Sequence, residues 1–483
     1  MLRRFRRFWA QSGDLSLIRN SGMFDESWYL AHNSDVARTG VDPLLHYYQH
    51  GGFEGREPGP DFSSDEYLDA YQDVKKAGIN PLVHYLKYGR AEGRSAHIAS
   101  IRSHDINEAT SPRSFLSAYI YEVASNIYNN HEDNYDSYRF GPRITELHKT
   151  TPGIKVIDIP QKGEPADLDL LAKAFVSAIE LIEPFLSRFD DVFTQLADKE
   201  SRNIYIKVLA YRALGYQKVK LPLSNPSYWN GIKAIESLAN FSDPISYPFS
   251  SFTWTLPLIN LQQISVPVNL YATAKSVYTQ FVLEQYKCVS GQTTIGIEKG
   301  DTVIDTGACW GDTALYFAHH AGQEGKVFSY EFVPGNLEIF FRNLDLNPQL
   351  KDRISIVDRA AWSHSGEVLQ FGDNGPGSSV SSAINNNKEG IETLSIDDLV
   401  KVNNIARVDF IKMDIEGSEL KALQGAIETI RKYQPKLAIS IYHRLSDFVE
   451  IAEFLLSLNL GYCFYIRHYT IHAEETILFA KTA

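Results

Sequence analysis

The stretch from Thr302 to Leu315, TVIDTGACWGDTAL, decides the fold. An apolar run ends at Asp305, the glycines Gly307 and Gly311 follow, and a helical pattern then begins. A strand, a glycine turn and a helix in this order usually hold a nucleotide-like ligand, because the free N–H groups at the start of the helix bind anions. The stretch therefore predicts a ligand site on an α/β sheet.

The turn differs from a dinucleotide site. In the GxGxxG fingerprint the second glycine lets the backbone approach a pyrophosphate, but Cys309 stands at that position here. The GK[ST] sequence of a P-loop is missing as well. A ligand with an adenosine and a carboxylate but no phosphate, such as S-adenosylmethionine (SAM), suits this turn. Its carboxylate can meet the helix N–H groups, and Asp305 can accept a hydrogen bond from its ammonium.

From about Gly291 onward, apolar strands alternate with amphipathic helices. This pattern predicts an α/β fold with a mainly parallel, Rossmann-like sheet that is covered on both faces. The last two strands, YCFYIRHY and ETILFAK, have no helix between them and predict an antiparallel edge pair. One helix is predicted over SELKALQGAIETIRKY. The five earlier strands are TVIDT, KVFSYEF, ISIVDRAAW, RVDFIKMD and KLAISIYH.

Polar residues follow four of these strands, and ligands of such sheets bind at the carboxyl ends of the strands. Glu331, 26 residues after Asp305, can hold ribose hydroxyl groups. Asp358 could reach an adenine amino group or could cap a turn instead. Asp414 and the nearby Glu416 either cap the following helix or face the ligand cleft. His443 at the same rim is a candidate general base.

An internal repeat precedes the sheet. Residues 24–58 match residues 62–96 at a constant offset of 38, with FDESWYLAHNSDVA aligned to FSSDEYLDAYQDVK. Each unit predicts two short helices, the second of which begins at a proline and ends at a glycine. Two units this small cannot bury much surface alone, so they are expected to pack on each other or on the rest of the chain.

The same patterns divide the chain into five parts. Pro184 is expected to start or kink a helix in the fourth part, and INLQQISVPVNLYAT in that part has strand-like alternation. The parts are a basic amphipathic segment (1–20), the two helical repeats (21–97), a linker or irregular region (98–160), a helical and aromatic region packing on the catalytic domain (161–290), and the sheet domain (291–483).

Composition limits the partners and the compartment. The formal net charge of −12 disfavours nucleic acid. The cysteines Cys288, Cys309 and Cys463 are odd in number and far apart, which favours a reducing compartment such as the cytoplasm. No apolar run approaches the ~18 residues of a membrane span. The basic, aromatic start of the chain could still touch the inner membrane face weakly, through Arg3, Arg4, Arg6 and Arg7.

Several of these motifs resemble one family. DTGACWGDT, YEFVPGN, DFIKMDIEGSELKALQGA, PKLAISIYHRLSD and RHY…ETILFA look like FkbM-family SAM-dependent methyltransferases. The resemblance covers about residues 270–483, and the region from about Phe193 resembles longer members. The repeats resemble units attached to bacterial glycosyltransferases and surface-polysaccharide enzymes, although Ser34 and Gln72 stand where those units have proline.

The resemblance implies a class I methyltransferase sheet and methyl transfer from SAM, most often to a hydroxyl group of a polysaccharide or secondary metabolite. The SAM contacts carry over to Asp305, Gly307, Gly311, Glu331 and Asp358, and Asp414 corresponds to the acidic position near the reacting methyl.

For catalysis this leaves Asp414 and His443 as candidate bases. In a variant, Asp414, Glu416 and His443 bind a divalent cation that orients a sugar diol. The expected partners are a glycan or other hydroxyl-bearing acceptor and, through the repeats, polysaccharide-synthesis enzymes. The alternatives are a SAM-binding scaffold of a polysaccharide assembly without turnover, and N-methylation of a protein or amino sugar.

Overall fold

The computed structural model describes residues 14–92, 94, 182–215, 218–249, 252–372, 375–378, 380–381 and 390–482. The expectations for the arginines before residue 14 and for the linker 98–160 lie outside the described residues. In the part of the chain that is described, no helix combines the length and the apolarity needed to cross a bilayer.

A seven-stranded sheet forms the centre of the C-terminal part, in the order β3-β2-β1-β4-β5-β7-β6. Every neighbouring pair is parallel except those of β7, which runs antiparallel to β5 and to β6. The predicted Rossmann-like sheet with an antiparallel edge pair is thereby confirmed. The strands are β1 (Thr302–Thr306), β2 (Lys326–Tyr330), β3 (Ile354–Val357), β4 (Phe410–Met413), β5 (Lys436–Ser440), β6 (Tyr462–His468) and β7 (Thr476–Thr482).

Helices cover both faces of this sheet, which explains why its strands read as apolar runs. Four of the five residues of β1 and all four residues of β4 are buried. One core packs α3 to α6 against the sheet, and the other packs α1 and α2 against the opposite face. The helices are α1 (Asp312–Ala321), α2 (Pro334–Asp345), α3 (Ile396–Val402), α4 (Glu419–Gln424), α5 (Ile427–Tyr433) and α6 (Asp447–Ser457), with a short turn of helix at Pro348–Lys351.

The single helix predicted after β4 is two helices, α4 and α5. The break lies at Gly425, where an added Cβ would come within 2.0 Å of the carbonyl oxygen of Trp362. Only glycine allows that approach of two backbones. The helical period of the sequence continues across Gly425 and does not reveal the break. The contact that causes the break comes from Trp362, which lies far away in the chain.

Smaller sheets and helices flank the central sheet. The segment predicted to alternate as a strand is interrupted by a 3₁₀ turn at Leu261–Ile264, and Pro184 lies in a 3₁₀ turn just before a helix. The helices of this region are Leu186–Gln195, Lys199–Leu214, Pro226–Glu236 and Ala274–Val277, the last continued by a π-turn at Tyr278–Val282. The outlying strands are Ala239–Phe249, Phe252–Asn260, Asn269–Tyr271, Cys288–Ser290, Thr293–Ile295, Val368–Phe371, Val380–Ser381 and Gly390–Glu392.

Each N-terminal unit contains three short helices and a π-turn, so the first predicted helix is split in two. The units use matching residues for the same contacts. The hydroxyl of Tyr29 lies 2.9 Å from Nδ1 of His46, and that of Tyr67 lies 3.0 Å from Nδ1 of His84. The elements are Glu26–His32, Ser34–Thr39, Pro43–His46 and Tyr47–Gly51, followed by Ser64–Ala70, Gln72–Ala77, Pro81–His84 and Tyr85–Gly89.

The two units share one core and dock on the helix Lys199–Leu214. Between the units, the hydroxyls of Tyr47 and Ser64 lie 2.9 Å apart. Towards the helix, the indole N–H of Trp28 donates to Glu200 over 2.9 Å. Lys207 Nζ lies 2.5 Å from Oε1 of Glu66 in the second unit. Both units therefore contribute to the contact with the rest of the chain.

The contact between Gly51 and Tyr29 leads to a stability prediction. A Cβ on Gly51 would lie 2.1 Å from the hydroxyl oxygen of Tyr29, whose fully buried ring cannot move aside. Gly51→Ala should therefore lower the free energy of local unfolding of residues 24–58 by about 1–3 kcal/mol, measured by native-state hydrogen exchange. Tyr29→Phe removes the clashing atom, so the double variant should lose less than the sum of the single variants. Strict additivity would contradict this explanation.

Candidate active site

The glycine turn after β1 is tight because two glycines let other chain segments approach. Gly307 and Gly311 have φ angles of +84° and +81°. A Cβ on Gly307 would lie 1.9 Å from the carbonyl oxygen of Asp414, and one on Gly311 would lie 2.1 Å from the ring of Phe340. Gly307 lines the cleft described below, whereas Gly311 supports the turn from behind.

Asp305 lies underneath this turn rather than in the cleft. Its Oδ1 is 3.1 Å from Nζ of Lys412, and both side chains are almost completely buried. Its Oδ2 accepts hydrogen bonds from Thr313 at 2.9 Å and from Ser329 at 3.3 Å. Lys412 also donates to the carbonyl oxygen of Gly307 over 2.6 Å. The structure therefore places Asp305 as an anchor of the turn, out of reach of a ligand's ammonium.

A narrow cleft of about 60 Å³ runs along the carboxyl ends of β1, β2 and β4. Pockets for small molecules usually measure about 300–1,000 Å³, so a nucleoside-sized ligand requires the walls to move apart. Glu331 lies at one end of the cleft. Its Oε1 accepts hydrogen bonds from the N–H groups of Phe332 and Val333, each 2.8 Å long. Burial outweighs these bonds and raises the pKa of Glu331 to about 7.

Asp358, the other residue predicted to contact adenosine, points away from the cleft. Its side chain is 74% exposed and pairs with Nη1 of the adjacent Arg359 over 2.7 Å. The cleft wall at this place consists of Arg359, Ala360 and Ala361. The sequence thus indicated the correct strand end but not which residue after the strand faces the cleft.

Asp414 lies at the opposite end of the cleft and is held by two tyrosines. The Tyr442 hydroxyl donates to Oδ1 over 2.9 Å, and the Tyr286 hydroxyl donates to Oδ2 over 3.3 Å. Tyr442 directly precedes His443 in the motif ISIYHR and could have been identified from that position. Tyr286 comes from a segment before β1, and nothing in the sequence links it to the strand ends.

His443 is surrounded by three carboxylates. Its Nδ1 lies 3.1 Å from Glu419, and its Nε2 lies 3.5 Å from Asp414 and 3.6 Å from Glu416. Burial lowers the pKa of His443, but the negative charges, with that of Glu419 the strongest, outweigh burial and raise it to about 10. At neutral pH His443 is therefore an imidazolium, which cannot accept a proton. Of the two candidate bases, Asp414 is the one that this argument leaves.

Acidic side chains surround this end of the site. Burial raises the pKa of Glu416 to about 7. Glu475, held by Gln285 over a 2.5 Å hydrogen bond, also has a raised pKa, first because of burial and then because of the charge of Asp414. Glu419 is almost fully buried, and its position inside a helical sequence pattern does not mark it as a site residue.

Three residues in this part of the structure could ligate a metal ion. Ligand atoms of Asp414, Glu419 and His443 all lie within 4.8 Å of one another. The set differs from the predicted one, since Glu419 takes the place of Glu416. A metal would have to displace the proton of His443, because only neutral imidazole is a ligand.

The strand order with β7 reversed, the glycine turn after β1 and the cleft at the strand ends define a Rossmann-like methyltransferase fold. Residues 296–464 match the family model of the methyltransferase FkbM domain. This match confirms, for that part of the chain, the resemblance seen in the motifs. No curated protein matches the chain significantly.

Solved structures of methyltransferases are also similar to the chain. Methyltransferase FkbM from Methylobacillus flagellatus KT is 21% identical over 64% of this chain and 61% of that one, with a TM-score of 0.40. The chain thus spans less than two thirds of that relative. Fibrillarin from Aeropyrum pernix, with bound S-adenosyl-L-methionine, is 12% identical over 49% and 99% of the two chains, with a TM-score of 0.26. An O-methyltransferase from Bacillus cereus in complex with SAH is 12% identical over 46% and 86%, with a TM-score of 0.28.

The charge of His443 leads to a pH-dependent stability prediction. Because its pKa is raised from 6.5 to about 10 in the folded chain, the stabilisation is complete below pH 6.5 and disappears as the pH rises through 10. His443→Gln leaves the carboxylate of Glu419 buried without a counter-charge. The free energy of unfolding should fall by about 3–5 kcal/mol at pH 6 in urea titrations, and this loss should shrink towards pH 10.

The matched control is His364→Gln. His364 lies 2.9 Å from Glu367, but its side chain is 64% exposed, so its removal should change the free energy by no more than about 0.5 kcal/mol. A loss for His443→Gln that stays constant from pH 6 to pH 10 would show that the side chain acts through packing rather than charge.

Proposed function

We propose that the protein is a SAM-dependent methyltransferase that methylates a sugar hydroxyl group in a bacterial surface polysaccharide or its precursor. One observation carries the proposal. A single cleft has Glu331 at one end, suited to ribose hydroxyls, and at the other end Asp414, a carboxylate oriented by two tyrosines. The FkbM domain match over residues 296–464 supports the same reaction class.

Once the walls of the cleft have moved apart, the residues that line them suit SAM. Glu331 provides a buried carboxyl group for the ribose, and the wall formed by Ala360 and Ala361 is apolar enough for a base. Gly307 leaves backbone exposed to the ligand at the turn that precedes α1. Asp414 and Glu416 offer negative charge at the far end. When bound, SAM supplies a methyl group on a positively charged sulfur, and these carboxylates favour that charge.

The residues around Asp414 can manage the proton of the acceptor. The hydroxyl oxygen forms a bond to the methyl carbon while the carbon–sulfur bond breaks and its electron pair remains on sulfur. The hydroxyl proton passes to Asp414, which Tyr286 and Tyr442 hold in place. The imidazolium of His443 lies nearby, with its Nε2 3.5 Å from Oδ1 of Asp414. Alignment of the two reactants supplies much of the rate.

The proposed acceptor and setting rest on other features. The N-terminal units resemble those attached to surface-polysaccharide enzymes, and they would dock the protein to such an assembly. The free cysteines Cys288, Cys309 and Cys463 support a reducing, cytoplasmic setting. A peripheral position at the inner membrane face would bring the enzyme to its lipid-linked or growing glycan.

Binding of SAM should depend on Glu331 and not on Asp358. Glu331→Gln can keep its amide oxygen on the N–H groups of Phe332 and Val333, but its NH₂ group then replaces the second carboxylate oxygen and cannot accept a hydrogen bond from the ribose, so we expect at least a tenfold loss of SAM affinity by isothermal titration. The control Asp358→Asn changes an exposed side chain outside the cleft lining and should leave the affinity within about twofold. A larger loss of SAM affinity for Asp358→Asn than for Glu331→Gln would show that the ribose or adenine binds elsewhere.

Turnover should depend on Asp414. Asp414→Asn preserves the shape of the side chain but cannot accept a proton, so we expect transfer of labelled methyl from SAM to purified polysaccharide to fall about 10²–10⁴-fold. SAM affinity should fall far less than turnover, because only one of the two carboxylates near the sulfur is neutralised. Unchanged turnover of Asp414→Asn would show that Asp414 is not the base. If the unmodified protein binds SAM but methylates no glycan, a scaffold function would be favoured instead. Label found on nitrogen in the product would indicate an N-methyltransferase.

The same methyl-transfer assay tests the hypothesis that a divalent cation takes part in the reaction. Chelation with EDTA should leave the rate unchanged, because the imidazolium of His443 already supplies positive charge between Asp414 and Glu419. A rate lost on chelation and restored by Mn²⁺ or Mg²⁺ would assign a divalent cation to these three residues instead.

A further inference from the structure

A second, much larger cavity of about 610 Å³ lies between the first N-terminal unit and the helical region before the sheet. Residues of the helix Glu26–His32 and the chain after it form one wall. The helices Lys199–Leu214 and Pro226–Glu236, together with the π-turn Tyr278–Val282, form the others. Its size is within the range of small-molecule sites, and nothing in the methyl-transfer mechanism uses it.

Polar groups without a protein partner point into this cavity. Tyr278 lines it and is only 8% exposed, yet its hydroxyl makes no hydrogen bond within the described residues. Its ring packs on Gly231, where an added Cβ would lie 2.1 Å from a ring carbon. The side-chain amides of Asn203 and Asn230 also line the cavity and have no hydrogen-bond partner in the part of the chain that is described. Asn203 is half-buried and Asn230 is exposed, so both amides are free to bind a ligand, whereas the buried hydroxyl of Tyr278 needs water or a ligand as its partner.

The charges of the lining balance. The acidic and basic side chains of the lining are equal in number. Two of them, Arg56 and Asp35, form a salt bridge with each other, in which Nη1 of Arg56 lies 2.8 Å from Oδ1 of Asp35. A lining without net charge favours a neutral ligand over a phosphorylated or acidic one. The acidic residues are Asp35, Glu57 and Glu200, and the basic ones are Arg38, Arg56 and Lys207.

Aromatic faces accompany these polar groups. The rings of Trp28 and His32 stack with their centroids 3.8 Å apart, and Tyr228 forms part of the opposite wall. Sugar rings combine apolar C–H faces with a rim of hydroxyl groups that both donate and accept hydrogen bonds. We propose that this cavity binds a neutral oligosaccharide, with Tyr278, Asn203 and Asn230 as hydrogen-bond partners and the aromatic rings against the sugar faces.

The cavity is connected to the active site by one segment. The segment from Ala274 to Tyr286 contributes Tyr278 to the cavity, while its Ser276 donates to Asp312 of α1 over 2.5 Å and its Tyr286 donates to Asp414. Tyr278 and Tyr286 are eight residues apart in the sequence, hence at most about 30 Å apart in space. If the proposed glycan methylation holds, the cavity would retain the polymer while another of its sugars reaches Asp414.

Filling the cavity tests this proposal in the full chain without SAM. The probes are neutral hexasaccharides of glucose, galactose, mannose and N-acetylglucosamine, observed by saturation-transfer NMR. Ala234→Trp places an indole in the cavity and should weaken binding at least tenfold, and Tyr278→Phe should weaken it about two- to tenfold by removing one hydrogen bond. Lys233→Trp adds the same bulk to the same helix outside the cavity lining and should bind like the unmodified protein.

Two results would overturn the proposal. One is the absence of saturation transfer to every hexasaccharide, or binding only of a neutral hexapeptide used as a comparison. The other is equal sugar binding by Ala234→Trp and Lys233→Trp. Titrating Ala234→Trp and Lys233→Trp with SAM separates a failure of this proposal from a failure of the proposed function. SAM affinity should be unchanged in both variants, whether or not the cavity binds sugar.

Discussion

The buried contact between Lys412 and Asp305 is the interaction on which the site depends. The two residues face each other on β4 and β1, and each is at most 1% exposed. Removing such charges from water is costly, so the pair need not add net stability. Its effect is positional, because the ammonium also donates to the carbonyl oxygens of Thr306 and Gly307. The glycine turn is thereby fixed to the strand that is followed by Asp414, the proposed base.

The same pairing sets the position of Asp414 relative to the glycine turn. Asp414 follows Lys412 by two residues, and its carbonyl oxygen occupies the space that a side chain on Gly307 would need. A slip of one residue between β1 and β4 would turn Asp305 and Lys412 towards opposite faces. The glycine turn proposed to hold the cofactor and the proposed base therefore both depend on the register between β1 and β4. Two charged side chains in an otherwise apolar sheet specify this register.

Sequence patterns were sufficient for the sheet, because strands and strand ends are local features. Glu331 and Asp414 follow apolar runs and do line the cleft. The role of Asp305 could not be read in this way, since an acid at a strand end looks the same whether it faces a ligand or a buried lysine. Tyr286 and the helix break at Gly425 depend on contacts with distant residues, which leave no periodic signal.

The ion pair between Glu200 and Arg467 joins the N-terminal units to the sheet. Arg467 on the edge strand β6 lies 3.0 Å from Glu200, which also accepts from Trp28 of the first unit. The segment before Glu200 covers the same strand, since the N–H of Ala197 donates to the carbonyl oxygen of Phe464 over 2.8 Å. An uncovered edge would invite pairing with other chains. The partly buried carboxylate of Glu200 therefore contacts the first unit, the edge strand and the large cavity at once.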